Sequence, residues 1–295
     1  MSELVDCINA LSAKDIIKSV AKTANGTPFY LQTVGAGGFC TEYQRIYDDL
    51  EGSGTPPGEA VADTQNTMVC GLVDAGIWAK FDIFYLFAQT TNAGSEALMN
   101  WVTTGLYNAV LAGVNPAFVA LEGFTGPGNG YINTNWNPST NGVNFTLDSA
   151  SVGIYCRNDV TENKMAFGSE VGVDAVYVRL KYGGTTLQYK LNSGTQETIA
   201  NANTQGFYVL NRPANNEQDV YRNGSNIKDG VAASTSRPNN NMYVLCTNDD
   251  GSPLAYSTIQ ASLFYAGASL SPAEIATMTN LIEAYMDSNG KGVIP

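Results

Sequence analysis

The chain contains no histidine. That removes the commonest general base, the commonest metal ligand and the usual pH switch together. No Ser-His-Asp or Cys-His constellation can be assembled from it. Cysteine is scarce and odd in number: Cys7, Cys40, Cys70, Cys156 and Cys246 lie far apart, without a CxxC pair. A zinc ribbon or thioredoxin-type site is therefore excluded, and buried reduced thiols are expected rather than a disulfide framework. Charge is sparse at 14%, against roughly a quarter of residues in an average globular protein. The net charge is −12, and the 15 Lys and Arg form no run or stripe. Such a chain repels phosphate backbones, so nucleic acid is not an expected partner. No stretch approaches the ~18 apolar residues of a membrane-spanning helix. The opening MSELVDCINALSAKD has no basic region before an apolar one, so no signal peptide is expected and synthesis in a cytoplasm is.

Asn, Thr, Ser and Gly supply the missing polarity, and Tyr, Phe and β-branched residues remain plentiful. That mixture suits exposed β faces and turns, not disorder. Residues 1–26 read as helical, with Ser12 able to cap a segment whose stripe is Ile16, Ile17 and Val20. Residues 27–58 read as irregular, and helical periodicity resumes near Glu59. Phe81 to Ala88 is an aromatic β-type run. From about Phe124 onward strands dominate. Val171 to Tyr182 alternates, with Val173, Ala175, Tyr177, Arg179 and Lys181 on one face and Val176, Val178 and Leu180 on the other. Further strands are expected at 185–191, 206–210, 219–222, 242–247 and 257–265, punctuated by Gly183-Gly184, Asn192-Ser193-Gly194, Asn223-Gly224 and Asn248-Asp249-Asp250-Gly251. Many short strands at turn-marked intervals predict a sandwich or jelly roll. The last element is a helix: Ser271 as N-cap, Pro272 at the first position, Glu274 completing a capping box, an apolar stripe from Ile275 to Met286, and Gly290 to end it.

Three segments, GYINTNWNPST…VGIYCR from Gly130, QDVYRNG from Gln218 and YSTIQASLFYAGASLSPAEIATMTNLIEAYM from Tyr256, resemble the concanavalin A-like (LamG-like) jelly rolls of bacteriophage virion proteins. Upstream, CGLVDAGIWAKFDIFYLFA from Cys70 resembles the leader that precedes that domain in phage tail, fibre and other structural proteins. The resemblance covers Val69 to the C-terminus. It implies a mainly β fold, a concanavalin A-like jelly-roll sandwich with an N-terminal helical region and a C-terminal amphipathic helix. It implies three parts: 1–68 for attachment or oligomerisation, 69–123 as leader, and 124–295 as jelly roll. It further implies a non-enzymatic virion surface protein (tail, fibre or capsid decoration), a homo-oligomer with a trimer expected, contacting other virion proteins and a host-surface glycan. A dedicated carbohydrate-binding adhesin is the alternative, and a glycan hydrolase a third.

Hydrolases of this shape need two carboxylates ~5–5.5 Å or ~6.5–9.5 Å apart. Glu170 and Asp174 are the nearest pair, and on one strand they would stand about 13 Å apart at ~3.3 Å per residue. No catalytic residue is assigned. LamG-like folds often carry calcium at a loop rim, and Asn248, Asp249 and Asp250 offer hard oxygen ligands for it. The same stretch also reads as a plain turn. No other cofactor is implied. For a glycan, Tyr131, Asn133, Asn135, Trp136 and Asn137 supply flat faces and side-chain amides. The competing reading buries Tyr131 and Trp136 in the core or an interface, the commoner fate of large aromatics.

Overall fold

In the computed structural model the described residues are 38–295, together with the backbone of two short paired strands, β1 (Val20–Lys22) and β2 (Pro28–Tyr30). The helices expected within residues 1–26 lie outside them, except that Val20, placed in a helical stripe above, belongs to a strand. Cys7 also lies outside.

The protein is built in three layers. The middle layer is an eight-stranded sheet of β3 (Phe81–Leu86), β5 (Ala117–Val119), β6 (Gly123–Thr125), β8 (Ala150–Cys156), β13 (Gly206–Arg212), β14 (Asp219–Arg222), β15 (Ser225–Lys228) and β19 (Gln260–Gly267). Its order is β15-β14-β13-β8-β19-β6-β5, with β3 also paired to β19. The strands are antiparallel throughout. Every residue of β8 and β13 is buried, as is nearly all of β19. Both faces of this sheet are therefore covered, which is why ASVGIYC and ASLFYAG show apolar and small residues without alternation. Gly153 shows how tight the layer is: a Cβ there would stand 2.3 Å from the Tyr265 ring.

On one side lies a nine-stranded sheet of β4 (Val110–Gly113), β7 (Gly130–Asn133), β9 (Phe167–Val171), β10 (Asp174–Tyr182), β11 (Thr186–Ser193), β12 (Glu197–Ala200), β16 (Tyr243–Val244), β17 (Thr247–Asp249) and β18 (Ser252–Leu254). Its path is β12-β11-β10-β9-β16-β7-β4, with the β17–β18 hairpin attached to β9. Between the two sheets pack Ile132, Trp136, Ile154, Phe167, Val176, Val178, Leu180, Tyr189 and Phe264. The alternation expected in β10 holds, with Val176, Val178 and Leu180 inward. The strand expected over 171–182 is β10 from Asp174 onward; Val171 closes β9 instead, because Gly172 takes a positive φ of 59° and turns the chain between the two.

On the other side three helices cover the middle sheet: α1 (Thr41–Gly52), α2 (Glu59–Asp74) and α3 (Pro272–Ser288). Their buried side chains, among them Ile46, Met68, Leu72, Ile275, Met278 and Ile282, meet Phe84, Tyr155, Phe207 and Tyr265 of the sheet. Helix α1 corrects the irregular reading of 27–58. Tyr43, Ile46 and Leu50 are spaced three and four apart and all are buried, but the seven polar or charged residues between and beside them hide that narrow stripe. Helix α3 forms as expected, with both hydrogen bonds of the Ser271–Glu274 box in place. Cys40 and Cys70 form a disulfide, with Cα atoms 5.9 Å apart, correcting the expectation of reduced thiols there. Helix packing is the reason: Cys70 lies within α2 and Cys40 immediately before α1, so the two antiparallel neighbours bring distant positions to one end. Cys156 and Cys246 are the buried free thiols expected.

Candidate functional site

Helices close one face of the middle sheet and the sandwich core closes the other. Among the described residues, no further layer covers the outer face of the nine-stranded sheet. Backbone register builds a row across it. Lys190 pairs with Tyr177, Tyr177 with Gly168, Gly168 with Tyr243, Tyr243 with Asn133, and Asn133 with Val110. Paired residues project to the same side of a sheet, so pairing alone sets this row on the outer face, with Tyr177, Gly168 and Tyr243 buried at its centre and Lys190, Asn133 and Val110 more accessible at its ends. Its centre is notched. Gly168 has no side chain, and Thr247 fills the space, its hydroxyl 2.5 Å from where a Cβ would stand.

On one flank of the notch three tyrosines cluster. Tyr131 lies 4.5 Å from Tyr243 and 6.2 Å from Tyr256, centroid to centroid. Tyr131 and Tyr256 are half-buried, so ring faces remain open. Asn133 stands beside them; its Oδ1 accepts from the Asn135 backbone N–H at 2.9 Å and from Asn241 at 3.3 Å. Burial, aided by neighbouring Tyr131, pushes the Tyr243 hydroxyl up to about 12, so it stays a neutral donor.

On the other flank Arg179 lies over Tyr177 and Tyr182, 5.8 and 5.7 Å from their centroids. Lys190 lies 5.9 Å from the Tyr177 ring. The Tyr177 hydroxyl donates to Gln196 at 2.7 Å, and Arg179 reaches Gln188 at 3.4 Å. Among the described residues Lys80, Arg157, Lys181, Lys228 and Lys291 form ion pairs, whereas Arg179 and Lys190 form none. Two cations without a bound carboxylate thus project from a molecule carrying −12. Glu170 lies between the flanks, its carboxyl accepting from Thr247 at 3.0 Å and held above the usual carboxylate range by burial, with Asp249 adding to the effect.

The five residues expected to meet a glycan part company here. Tyr131 and Asn133 lie in β7 on the outer face. Trp136 does not: it is wholly buried between the sheets, edge-to-face with Phe145 at 5.5 Å. The chain leaves β7 at Asn133 and dives inward, so the aromatic three residues on lands in the core and no glycan can reach it. Asn135 and Asn137 are spent on the turn: Asn135 donates to the Asn108 carbonyl, while Asn137 accepts from the N–H groups of Ser139 and Thr140. The loop is fixed from two sides, with Asp82 accepting from the N–H groups of Val143, Asn144 and Phe145 and Arg237 donating to the carbonyls of Pro138, Gly142 and Phe145.

Asn248 is buried and donates to the Asn241 carbonyl at 2.9 Å; Asp249 is half-buried; Asp250, with Gly251, turns the β17–β18 hairpin at φ values of 47° and 89°. Among the described residues no three His, Cys, Asp or Glu converge at metal-binding distance. Glu170 and Asp174 stand across a hairpin instead of along one strand. Glu170 pairs with Ala175 and Asp174 with Val171, so the two carboxylates leave opposite faces. A cleft of ≈ 300 Å³ lies apart from the sheet face, between α1 and the 94–109 segment, lined by Asp49, Ser53, Glu96, Met99 and Asn108. Its buried carboxylate, Glu96, is already taken up by Ser53, Thr55 and the Gly94 N–H.

No family profile and no curated protein sequence matches the chain. Solved structures similar to it include domain 4 of AbnA, a GH43 extracellular arabinanase from Geobacillus stearothermophilus, in complex with arabinotriose. That match has 14% identity and a TM-score of 0.46, over 68% of this chain and 98% of that one. The botulinum neurotoxin serotype D binding domain matches at 12% identity and TM-score 0.49, over 70% of this chain and 52% of that one. A structure of botulinum neurotoxin type C, whose cell entry depends on two ganglioside molecules, matches at 14% and 0.49 over the same shares. The chain thus spans about half the length of those neurotoxin chains. Identity and TM-score this low carry no function across.

Proposed function

We propose that the protein is a non-catalytic carbohydrate-binding β-sandwich that meets its glycan on the outer face of the nine-stranded sheet. One observation supports this most: a sheet face left open carries half-exposed tyrosines beside side-chain amides and two cations free of ion pairs. Sugar rings need flat faces for C–H contact and directional donors and acceptors for hydroxyls, and Tyr131 with Tyr256 offers the first while Asn133 and Gln196 offer the second. Arg179 and Lys190 favour a glycan bearing carboxylate or sulfate. The absence of histidine and the opposed directions of Glu170 and Asp174 support binding without hydrolysis. The resemblance to phage jelly rolls supports display on a virion, where such a face would contact the host surface, and an adhesin role is the same chemistry at a tail or fibre tip.

The test is a glycan array followed by calorimetric titration with the best neutral and acidic hits. Tyr131→Ala is expected to weaken binding roughly tenfold, about 1.4 kcal/mol, while leaving the melting temperature within a few degrees. Arg179→Gln is expected to lower affinity for acidic glycans selectively. Binding unchanged in both variants refutes the assignment of this face.

A further inference from the structure

The two sheets end together along one edge of the sandwich. Strand β4 closes the nine-stranded sheet and β5 the eight-stranded one, and only Val114, Asn115 and Pro116 separate them in the chain. Among the described residues neither strand has a partner on its outer side. Four large apolar side chains are exposed here: Leu106 at 55%, Val110 at 46%, Val114 at 53% and Val119 at 41%. No charged residue occurs between Glu96 and Glu122.

The opposite edge differs. There β12 and β15 end their sheets with Glu197 and Lys228, 3.6 Å apart, and Asp229 follows. Charges on edge strands are the usual device that keeps a sheet from recruiting another strand. One edge of this molecule is guarded in that way and the other is not.

From this contrast we infer that the β4–β5 edge is a self-association surface, and that its occupant is a second copy of this chain. Two molecules of net charge −12 repel wherever their acidic surfaces meet, and the uncharged edge is where they can approach. A basic partner would be drawn to the acidic surface instead. A strand edge is also self-complementary: antiparallel pairing of identical strands about a two-fold axis satisfies both sets of backbone groups. The geometry gives a dimer, in place of the trimer expected from the phage resemblance, and joins two outer sheets into one surface.

Sedimentation equilibrium of the full chain, from micromolar to several hundred micromolar, tests this. The expected result is a species of twice 31.4 kDa. Val110→Lys and Val119→Lys are expected to weaken dimerisation by roughly a hundredfold or more, because like charges then face each other across the axis. Both positions are exposed, so circular dichroism should stay unchanged. Val231→Lys, at a site 76% exposed outside this edge, is the control and should still dimerise. A wild type that stays monomeric across the range overturns the inference. So does a dimer that survives both edge substitutions, or an assembly of three copies.

Discussion

Trp136 and Tyr131 stand five positions apart and have opposite fates. Both aromatic identities are plain in the sequence; their burial is not, because the inward turn after Asn133 is held by bonds of Thr134 and Trp136 to Met242, distant in the chain. Residues of the site that escaped notice, Tyr243 and Tyr256, come from another part of the chain, and only sheet register brings them to Tyr131. Arg179 and Tyr177 were legible, since the alternation of β10 already set them on the face opposite Val176 and Val178. Trp136→Ala is expected to cost about 3–5 kcal/mol, the range for removing a large buried aromatic, measured by urea denaturation. A loss under about 1 kcal/mol would contradict its place in the core. Asp219 makes a second prediction. Burial, with Asp229 and Glu217 adding to it, pushes its carboxyl from 3.8 up to about 6. The folded state therefore holds that proton more tightly than the unfolded chain does. Stability is lost as pH rises from about 4 to 6, and the penalty persists above. Asp219→Asn should raise the melting temperature relative to wild type at pH 8, with the gap closing near pH 3.5. A gap independent of pH would contradict it.

Elements were legible where local chemistry alone decides them. The capped helix α3 and the Asn223-Gly224 turn, with φ values of 52° and 79°, needed no partner to be recognised. Helix α1 was not, because its stripe is narrow and its N-cap, Cys40, makes no side-chain capping bond. The disulfide was hidden for the same reason: its geometry exists only once α1 and α2 lie side by side. Cys40 and Cys70 stand 30 positions apart in the chain. Closing a loop of that length removes unfolded-state entropy equivalent to about 3–4 kcal/mol. Cys40→Ser with Cys70→Ser, or full reduction, should lower the melting temperature by several degrees and speed amide exchange in α1 first. Equal exchange rates in oxidised and reduced protein would show that the helices hold each other without the link.

For the molecule as a whole, the β-sandwich class followed from many short strands and turn residues at intervals. The layer order did not. Nothing local says that helices at both ends of the described chain cover one sheet and leave the other open, yet that decides where a ligand can reach. The composition also acts at this scale. With few charges and −12 overall, colloidal stability rests on net charge, and it should fall as pH approaches the sequence pI of 4.3.

Strand β19 carries a consequence for biosynthesis. It lies between β8 on one side and β3 and β6 on the other, so the middle sheet has a gap in its centre until residue 267 has been made. Its neighbours β3 and β8 are made far earlier, 179 and 112 residues ahead by the registers Phe264↔Tyr85 (264 − 85) and Tyr265↔Gly153 (265 − 153), and wait with their β19-facing edges unpaired. The middle sheet thus closes only after β19 has been made, well behind the strands it joins. A chain cut short before β19 lacks the strand that joins β8 to β3 and β6, and so cannot close its own middle sheet.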